Sequence, residues 1–438
     1  MAVVQSWKYV SLSFAGQTDL VTLSPTGADY TKFACEVSMP KPARVTQAID
    51  YATGAPGTSL PPVTGARQGG ELSIKFPLTK LRTGYDHTTQ QPGGAGPITS
   101  PALVLLANAL GSKNASVSNN AANFKLGLGQ WIETYDAGAV ISGSDTDTVK
   151  LDVGLGAGIL PGSLLAVGSG TDLSQLGWVR NVSTNDVNLV ENWTGAAANG
   201  DAIWPSATCA MNGAEQIPLS FKVFGKEASF VDVAIGAVCK SIKISAKAGE
   251  VPIVEMTYGI FGDLYRASTG GGVNVPSNDW AVLPPLTGLS GARLTFDGSA
   301  LCGAEDLEIS IELDIQPRAC HGSRQGVGAV DTVQRTAEVS LKLPRMSDDT
   351  ITANGDGPYQ NAFIDRDTHT MAIYVGDTPG SIFSLLFFCS IVEEPTNEDV
   401  GGRFYNGLKL RSAPLTSMGN GSIAETAPQN SSLLLGAA

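Results

Sequence analysis

Apolar and polar side chains alternate along two segments that read almost alike. Residues 71–77 are ELSIKFP and residues 338–344 are EVSLKLP. Leu72, Ile74 and Phe76 in the first, and Val339, Leu341 and Leu343 in the second, fall at every other position. That period marks a strand with one buried face. Upstream lies another matching pair, Glu36-Val37-Ser38-Met39 and Glu308-Ile309-Ser310-Ile311, whose glutamates precede Glu71 and Glu338 by 35 and 30 residues. Downstream, FKVFG (221–225) and AIYVG (372–376) each lead through an apolar stretch to a cysteine, Cys239 and Cys389. The preserved order predicts a mainly β chain in which one unit is present twice in tandem.

The helix of the first copy is well specified. Ser100 can cap it, Pro101 takes its first position, Leu103, Leu106 and Leu110 share a face, and Gly111 closes it. In the second copy PYQNAFIDRD (358–367) is the corresponding candidate. Phe221 follows Pro77 by 144 positions, whereas Met371 follows Pro344 by 27, which predicts an inserted domain in the first copy. Its segments DTVKLDV, SLLAVGS, GWVRNVS and DVNLVENW read as short strands between Gly, Asn and Asp turns, the pattern of a small β-barrel or sandwich. The expected organisation is a first unit over 1–134 and 210–265, an insert over 135–209, a linker over 266–290, a second unit over 291–415 and a flexible tail over 416–438.

Charge narrows the range of partners. A net charge of −13 over 438 residues repels nucleic-acid phosphate and disfavours both stable DNA clamping and binding to an anionic membrane. Only 16% of residues are charged, while Gly (51) and Pro (24) are plentiful, as expected of a turn-rich β protein with much surface against partners. The longest apolar run, SIFSLLFFCSIV (381–392), falls far short of the ~20 residues of a membrane helix. MAVVQSWKYV lacks the basic-then-apolar order of a signal peptide, so synthesis and folding in the cytoplasm are expected. The cysteines at 35, 209, 239, 302, 320 and 389 form no C-x-x-C pair and are expected to be buried reduced thiols.

Catalytic patterns are missing. His87, His321 and His369 stand in no metal-ligand spacing, and the neighbours Cys320 and His321 point to opposite sides of an extended chain. Neither a G-x-S-x-G elbow nor a phosphate-binding loop occurs, and GLGAGILPG (154–162) has Ile159 where a dinucleotide loop needs its third glycine. Glu305, Asp306, Glu308, Glu312 and Asp314 largely alternate, the pattern of a solvated or channel-lining face more than of a metal site. The expectation is a non-enzyme without cofactor or metal; a β-rich hydrolase using paired carboxylates is the enzyme alternative.

The order of Glu36–Met39, a long arm over 40–68, ELSIKFP, the helix ending at Gly111 and the strands around the glycine turn of CKSIKISAKAGEVPIVEMTYGIFG (239–262) resembles the tail tube protein of long-tailed bacteriophages. EISIELDIQP, EVSLKLP, SLLFFCSIVEEP and RFYNGLKL supply the second copy. The resemblance implies two tandem β-sandwich or half-barrel units, each with a flanking helix, in a structural subunit made in the host cytoplasm and located in the virion tail. Its partners would be itself, as homotrimeric pseudo-hexameric rings stacked into a tube, and other tail proteins such as baseplate, tape measure and terminator. DNA would pass through the channel without specific binding. Candidate inter-ring arm residues are Pro40, Arg44, Asp50, Tyr51, Arg67, Asp314, Arg318, Arg324 and Arg335, and candidate acidic lumen residues are Glu308, Glu312 and Asp314. The arms are expected to be mobile until they order on a neighbouring ring. A baseplate or head-to-tail connector ring and a sugar-binding β-sandwich adhesin are the alternatives, the second suggested by Trp178, Trp193 and Trp204 in the insert.

Overall fold

The computed structural model describes residues 11–17, 31–33, 35–40, 43–47, 63–78, 85–86, 91–92, 101–111, 130–132, 139–152, 161–169, 172–204, 206–211, 216–224, 230–247, 250–268, 293–297, 299–301, 306–320, 326–344, 368–376, 382–400, 403–412 and 432–437, with the single positions 20, 159, 363 and 364. The fold is mainly β. The chain begins with β1 (Ser11–Gly16), β2 (Thr31–Phe33), β3 (Glu36–Ser38), β4 (Ala43–Gln47), β5 (Val63–Gln68) and β6 (Glu71–Pro77). The short β7 (Tyr85–Asp86) and β8 (Gln91–Pro92), helix α1 (Pro101–Leu110) and β9 (Gln130–Ile132) follow. Next come β10 (Thr148–Lys150), β11 (Leu164–Ser169), β12 (Asp172–Ser183), β13 (Asp186–Leu189) and β14 (Ala202–Trp204). After them run β15 (Ser206–Ala210), β16 (Leu219–Phe224), β17 (Phe230–Lys247) and β18 (Ile253–Ser268). The second half holds β19 (Arg293–Phe296), β20 (Ser299–Leu301), β21 (Asp306–Ala319), β22 (Val327–Pro344) and β23 (His369–Val375). It ends with β24 (Phe383–Ile391), β25 (Thr396–Val400), β26 (Arg403–Ser412) and β27 (Leu433–Ala437).

Two layers enclose the core. The first runs β3-β6-β18-β17-β21-β22-β26-β25, antiparallel throughout. Its inner side chains, among them Ile74, Met256, Ile242, Ile309, Val339 and Leu408, are buried because the strand period sends every second residue inward. The second layer contains β2-β1-β16 beside the first half of β17, and β20-β19-β23-β24-β27-β15-β9. β17 and β18 pass from one layer to the other. They turn at Gly236, whose φ is +66°, and at Gly262, with register slips beside them. A Cβ at either glycine would collide with the Leu20 carbonyl oxygen, so only glycine fits this corner.

ELSIKFP and EVSLKLP hold the same place. β6 lies between β3 and β18, and β22 between β21 and β26. Outside them β1, β2 and β16 pair as β19, β20 and β23 do, with Phe14 opposite Phe221 and Phe296 opposite Met371. The register corrects the sequence alignment by two residues. Val37 faces Ile74 whereas Leu307 faces Leu341, so Glu36 corresponds to Asp306 and not to Glu308. Likewise Ile391 faces Leu410 as Cys239 faces Tyr258, so Cys389 sits two positions before the place of Cys239.

Helix α1 ends as expected at Gly111, whose φ is +71° and whose N–H bonds the Asn108 carbonyl. It is not amphipathic in place, because Ala102–Ala107 and Ala109–Leu110 are all buried between the layers. Its one buried amide, Asn108, is satisfied by both backbone groups of Ile217, at 2.9 Å each. Of the second candidate helix, only Phe363 and Ile364 are described, and both are helical.

The insert is a single five-stranded sheet, β10-β13-β12-β11-β14, in place of the expected barrel or sandwich. One side carries its own core, including Val140, Val149, Leu165, Val179 and Trp193. The other side packs Leu164, Ala166, Leu176 and Trp178 on Ala372, Tyr374, Leu386, Phe388 and Leu434, the outer side of β23, β24 and β27. The expected flexible tail also differs at its end. Leu433–Ala437 form a strand buried at every residue, while 413–431 lie outside the described residues.

Candidate assembly edges and the exposed face

The two halves of the first layer meet edge to edge. β17 pairs with β21 from Ser241 opposite Glu312 to Lys247 opposite Asp306. At the far ends, β3 pairs among the described strands with β6 alone, and β25 with β26 alone. These two edges, unmatched among the described strands, are the counterparts of the matched ones. Ser38 faces Ser73 as Glu308 faces Ser340, so β3 stands where β21 stands. Glu398 faces Tyr405 beside the last sheet proline, as Ser245 faces Ile253, so β25 stands where the end of β17 stands. Exposed edges of this kind are templates for another chain.

The outer side of the first layer is polar and charged. Glu308, Glu312 and Asp314 project from β21 onto this side as the alternation predicted. They do not form an unbroken acidic wall. Lys243 of the neighbouring strand pairs with Glu308 at 2.8 Å, Lys240 with Glu71 at 2.8 Å, and Lys409 and Arg411 both approach Glu338. These pairs are solvent-exposed, so they set charge pattern more than stability. A groove of about 580 Å3 opens where Glu71, Lys240, Glu312, Asp314 and Gln334 converge at the joint between the halves.

Both arms continue their strands as two-stranded ribbons. β4 pairs with β5, Arg44 facing Arg67, and beyond this pair the register slips. Asp314 faces Gln334 at the equivalent place in the β21–β22 hairpin, and the register slips there too. Pro40 packs against Gly70 where the first ribbon leaves the sheet. Farther along the second ribbon Arg318 pairs with Asp331. Asp50, Tyr51 and Arg324 lie outside the described residues. Arg335 is not on the exposed side: it faces Leu313, and burial pushes its guanidinium down to about 10.

A buried polar cluster joins the insert to the second half. Glu191, 3% exposed, accepts hydrogen bonds from the Thr295 hydroxyl and from Tyr374 Oη at 3.2 Å. Arg293 lies 3.7 Å from the same carboxylate and stacks over the Tyr374 ring at 4.6 Å. Burial, then Glu191, hold the Tyr374 hydroxyl well above its ordinary range. The sequence contains no local signal for this cluster, because its members are up to 183 residues apart. Trp178 and Trp193 are buried, so they form no exposed aromatic platform.

Cys209, Cys239 and Cys389 are buried free thiols raised by burial, Cys35 is half-buried and pushed up to about 12, and Cys320 is exposed. Cys302, His87 and His321 lie outside the described residues. His369 Nδ1 rests 2.7 Å from Asp297 Oδ2, its ring stacked on Phe296. Among the described residues no cluster of His, Cys, Asp and Glu could hold a metal ion, and no helix is long and apolar enough to cross a membrane. No protein-family model and no curated protein matches the chain.

Proposed function

We propose that this chain is a structural subunit of a bacteriophage tail tube, in which three copies close into a pseudo-hexameric ring around a channel for DNA and the rings stack. The β17–β21 joint carries this reading: within one chain, two similar four-stranded halves already join edge to edge. Repeating that joint between β25 of one copy and β3 of the next is a head-to-tail contact, which closes when the rotation allows. The matching strand places, pairings and register slips of the two halves support a duplicated unit, and three duplicated chains supply six halves per ring. Closure would turn the charged outer side of the first layer toward the channel and the insert toward the periphery. Alternating charge on such a wall offers DNA little net grip. Stacking would use the ribbons of β4–β5 and β21–β22, and tube ends would bind other tail proteins.

The test is electron microscopy of the purified protein combined with the native mass of the smallest closed ring. Hollow tubes built from rings of three chains are expected. Rings of six chains contradict the scheme. Isolated rings that never stack point instead to a baseplate or connector ring.

A further inference from the structure

Strand β18 runs unbroken from Ile253 to Ser268 and pairs with both halves of β17. Its counterpart in the second half is divided. β26 stops at Ser412, opposite Cys389, and β27 takes up the path at Leu433, opposite Phe387. Two positions along β24 separate these points, a gap of about 7 Å at the usual strand rise. The connection nevertheless spends 20 residues, 413–432, on that gap. A chain of that length can span roughly 66 Å when extended.

β27 is held on every side. Leu385 and Cys209 flank Leu435 on the two neighbouring strands. Met211 N–H bonds the Leu433 carbonyl, and Phe388 N–H bonds that of Ser432. Leu433 and Leu435 enter the main core and Leu434 the insert contact, while Trp178 closes over Gly436, where a Cβ would touch its ring. The slot between β24 and β15 is thus filled on every side by this strand. An identical strand from another copy makes identical contacts, and only the connection differs.

We propose that β27 is exchanged on assembly: the free subunit fills its slot with its own terminal strand, and in the ring the slot holds the β27 of a neighbouring copy. This rests on the ring-forming reading given above. The long connection is the element that exchange requires and that intrachain closure does not. Exchange of an identical element is a low-cost route to linked protomers, and would tie neighbours together at the periphery while the β25–β3 joint closes the channel wall.

Ala207 and Ala437 face each other across β15 and β27. The double variant Ala207→Cys/Ala437→Cys, oxidised and run on a denaturing gel without reductant, reads the connectivity. The free subunit should give a loop-closed monomer, and assembled material covalently linked multimers. Loop-closed monomers from assembled rings overturn the exchange while leaving the ring reading intact; failure of the unmodified protein to form rings overturns both. If that pair prevents folding, Phe383→Cys/Ala437→Cys, also facing positions, gives the same readout. As a second measurement, a chain ending at Ser431 should bind a synthetic peptide of residues 430–438 and regain assembly. No binding by the folded truncated chain contradicts a slot that accepts a strand in trans.

Discussion

Trp178 Nε1 donates a hydrogen bond to Ser384 Oγ at 3.0 Å, and both residues are fully buried. The contact spans 206 residues and joins the insert to the outer side of β24, in the half of the chain to which the insert does not belong by sequence. Indole N–H groups buried away from water need such a partner. The insert thus acts as a clasp over the second half, with the Glu191 cluster as its polar centre.

Deleting residues 139–204 should be damaging. Removal of the insert uncovers Tyr374, Leu386, Phe388 and Leu434, which its Leu164, Ala166, Leu176 and Trp178 cover. Trp178→Ala alone should cost about 3–5 kcal/mol, the usual range for a buried aromatic. Urea unfolding followed by near-UV circular dichroism checks this; a change below about 1 kcal/mol would mean that the insert is only loosely seated.

Removing Glu191 alone should be worse than removing it together with Arg293. Glu191→Gln leaves Arg293 partly buried beside a neutral side chain, at a cost of about 3–5 kcal/mol. The double variant Glu191→Gln/Arg293→Met should recover much of that loss. Denaturant midpoints of both variants against the parent decide it, and equal losses in both would contradict the pairing.

Alkaline pH should unfold the chain early. Burial raises Cys209, Cys239 and Cys389 above an ordinary value of 9.0, and burial first, then Cys239 and Cys35, raises Tyr258 above 10.0. In each case the folded state holds its proton more tightly than the unfolded chain. Their contribution is therefore fully present below about pH 9 and falls as pH rises toward the folded values, by up to ~1.4 kcal/mol per pH unit and group. Stability should be flat from pH 7 to 8 and drop above 9, and Cys239→Ala should flatten the drop.

The mainly β class, the insert strands and the extent of α1 were legible because period-2 alternation and a Pro-to-Gly helix frame are local signals. The alignment between halves was less so. A slip of two residues keeps every side chain on its own face, so hydrophobic alternation cannot tell Glu36 opposite Lys75 from the shifted choice. β1 and β19 were missed because SLSF and RLTF share little beyond a leucine and a phenylalanine. LLLGA at the end of a polar tail was read as flexible, since its partners β15 and β24 lie far away in sequence. The edges at β3 and β25, each paired on one side among the described strands, could not be found from sequence, because pairing between distant strands leaves no local signal.

Shortening the second ribbon should separate folding from stacking. Residues 316–319 are exposed, and the ribbon beyond Asp314 adds little to the core. Replacing 317–329 by a two-residue turn should leave thermal melting within about 2–4 °C, the shift expected of a destabilisation near 1 kcal/mol or less in a large domain. Light scattering should show rings that no longer elongate. Normal tubes from this variant would remove the ribbon from the stacking contact.

The central claim is that β25 and β3 of neighbouring copies repeat the β17–β21 joint. Ser245 faces Glu308 in that joint, so Glu398 of one copy should face Ser38 of the next. The variant Ser38→Cys/Glu398→Cys, oxidised after assembly and separated on a denaturing gel, tests this contact directly. The account predicts covalent products that end at a closed trimer, since each link is head to tail and three links complete the ring. Products that stop at a dimer, or continue as an open ladder past three, would contradict it.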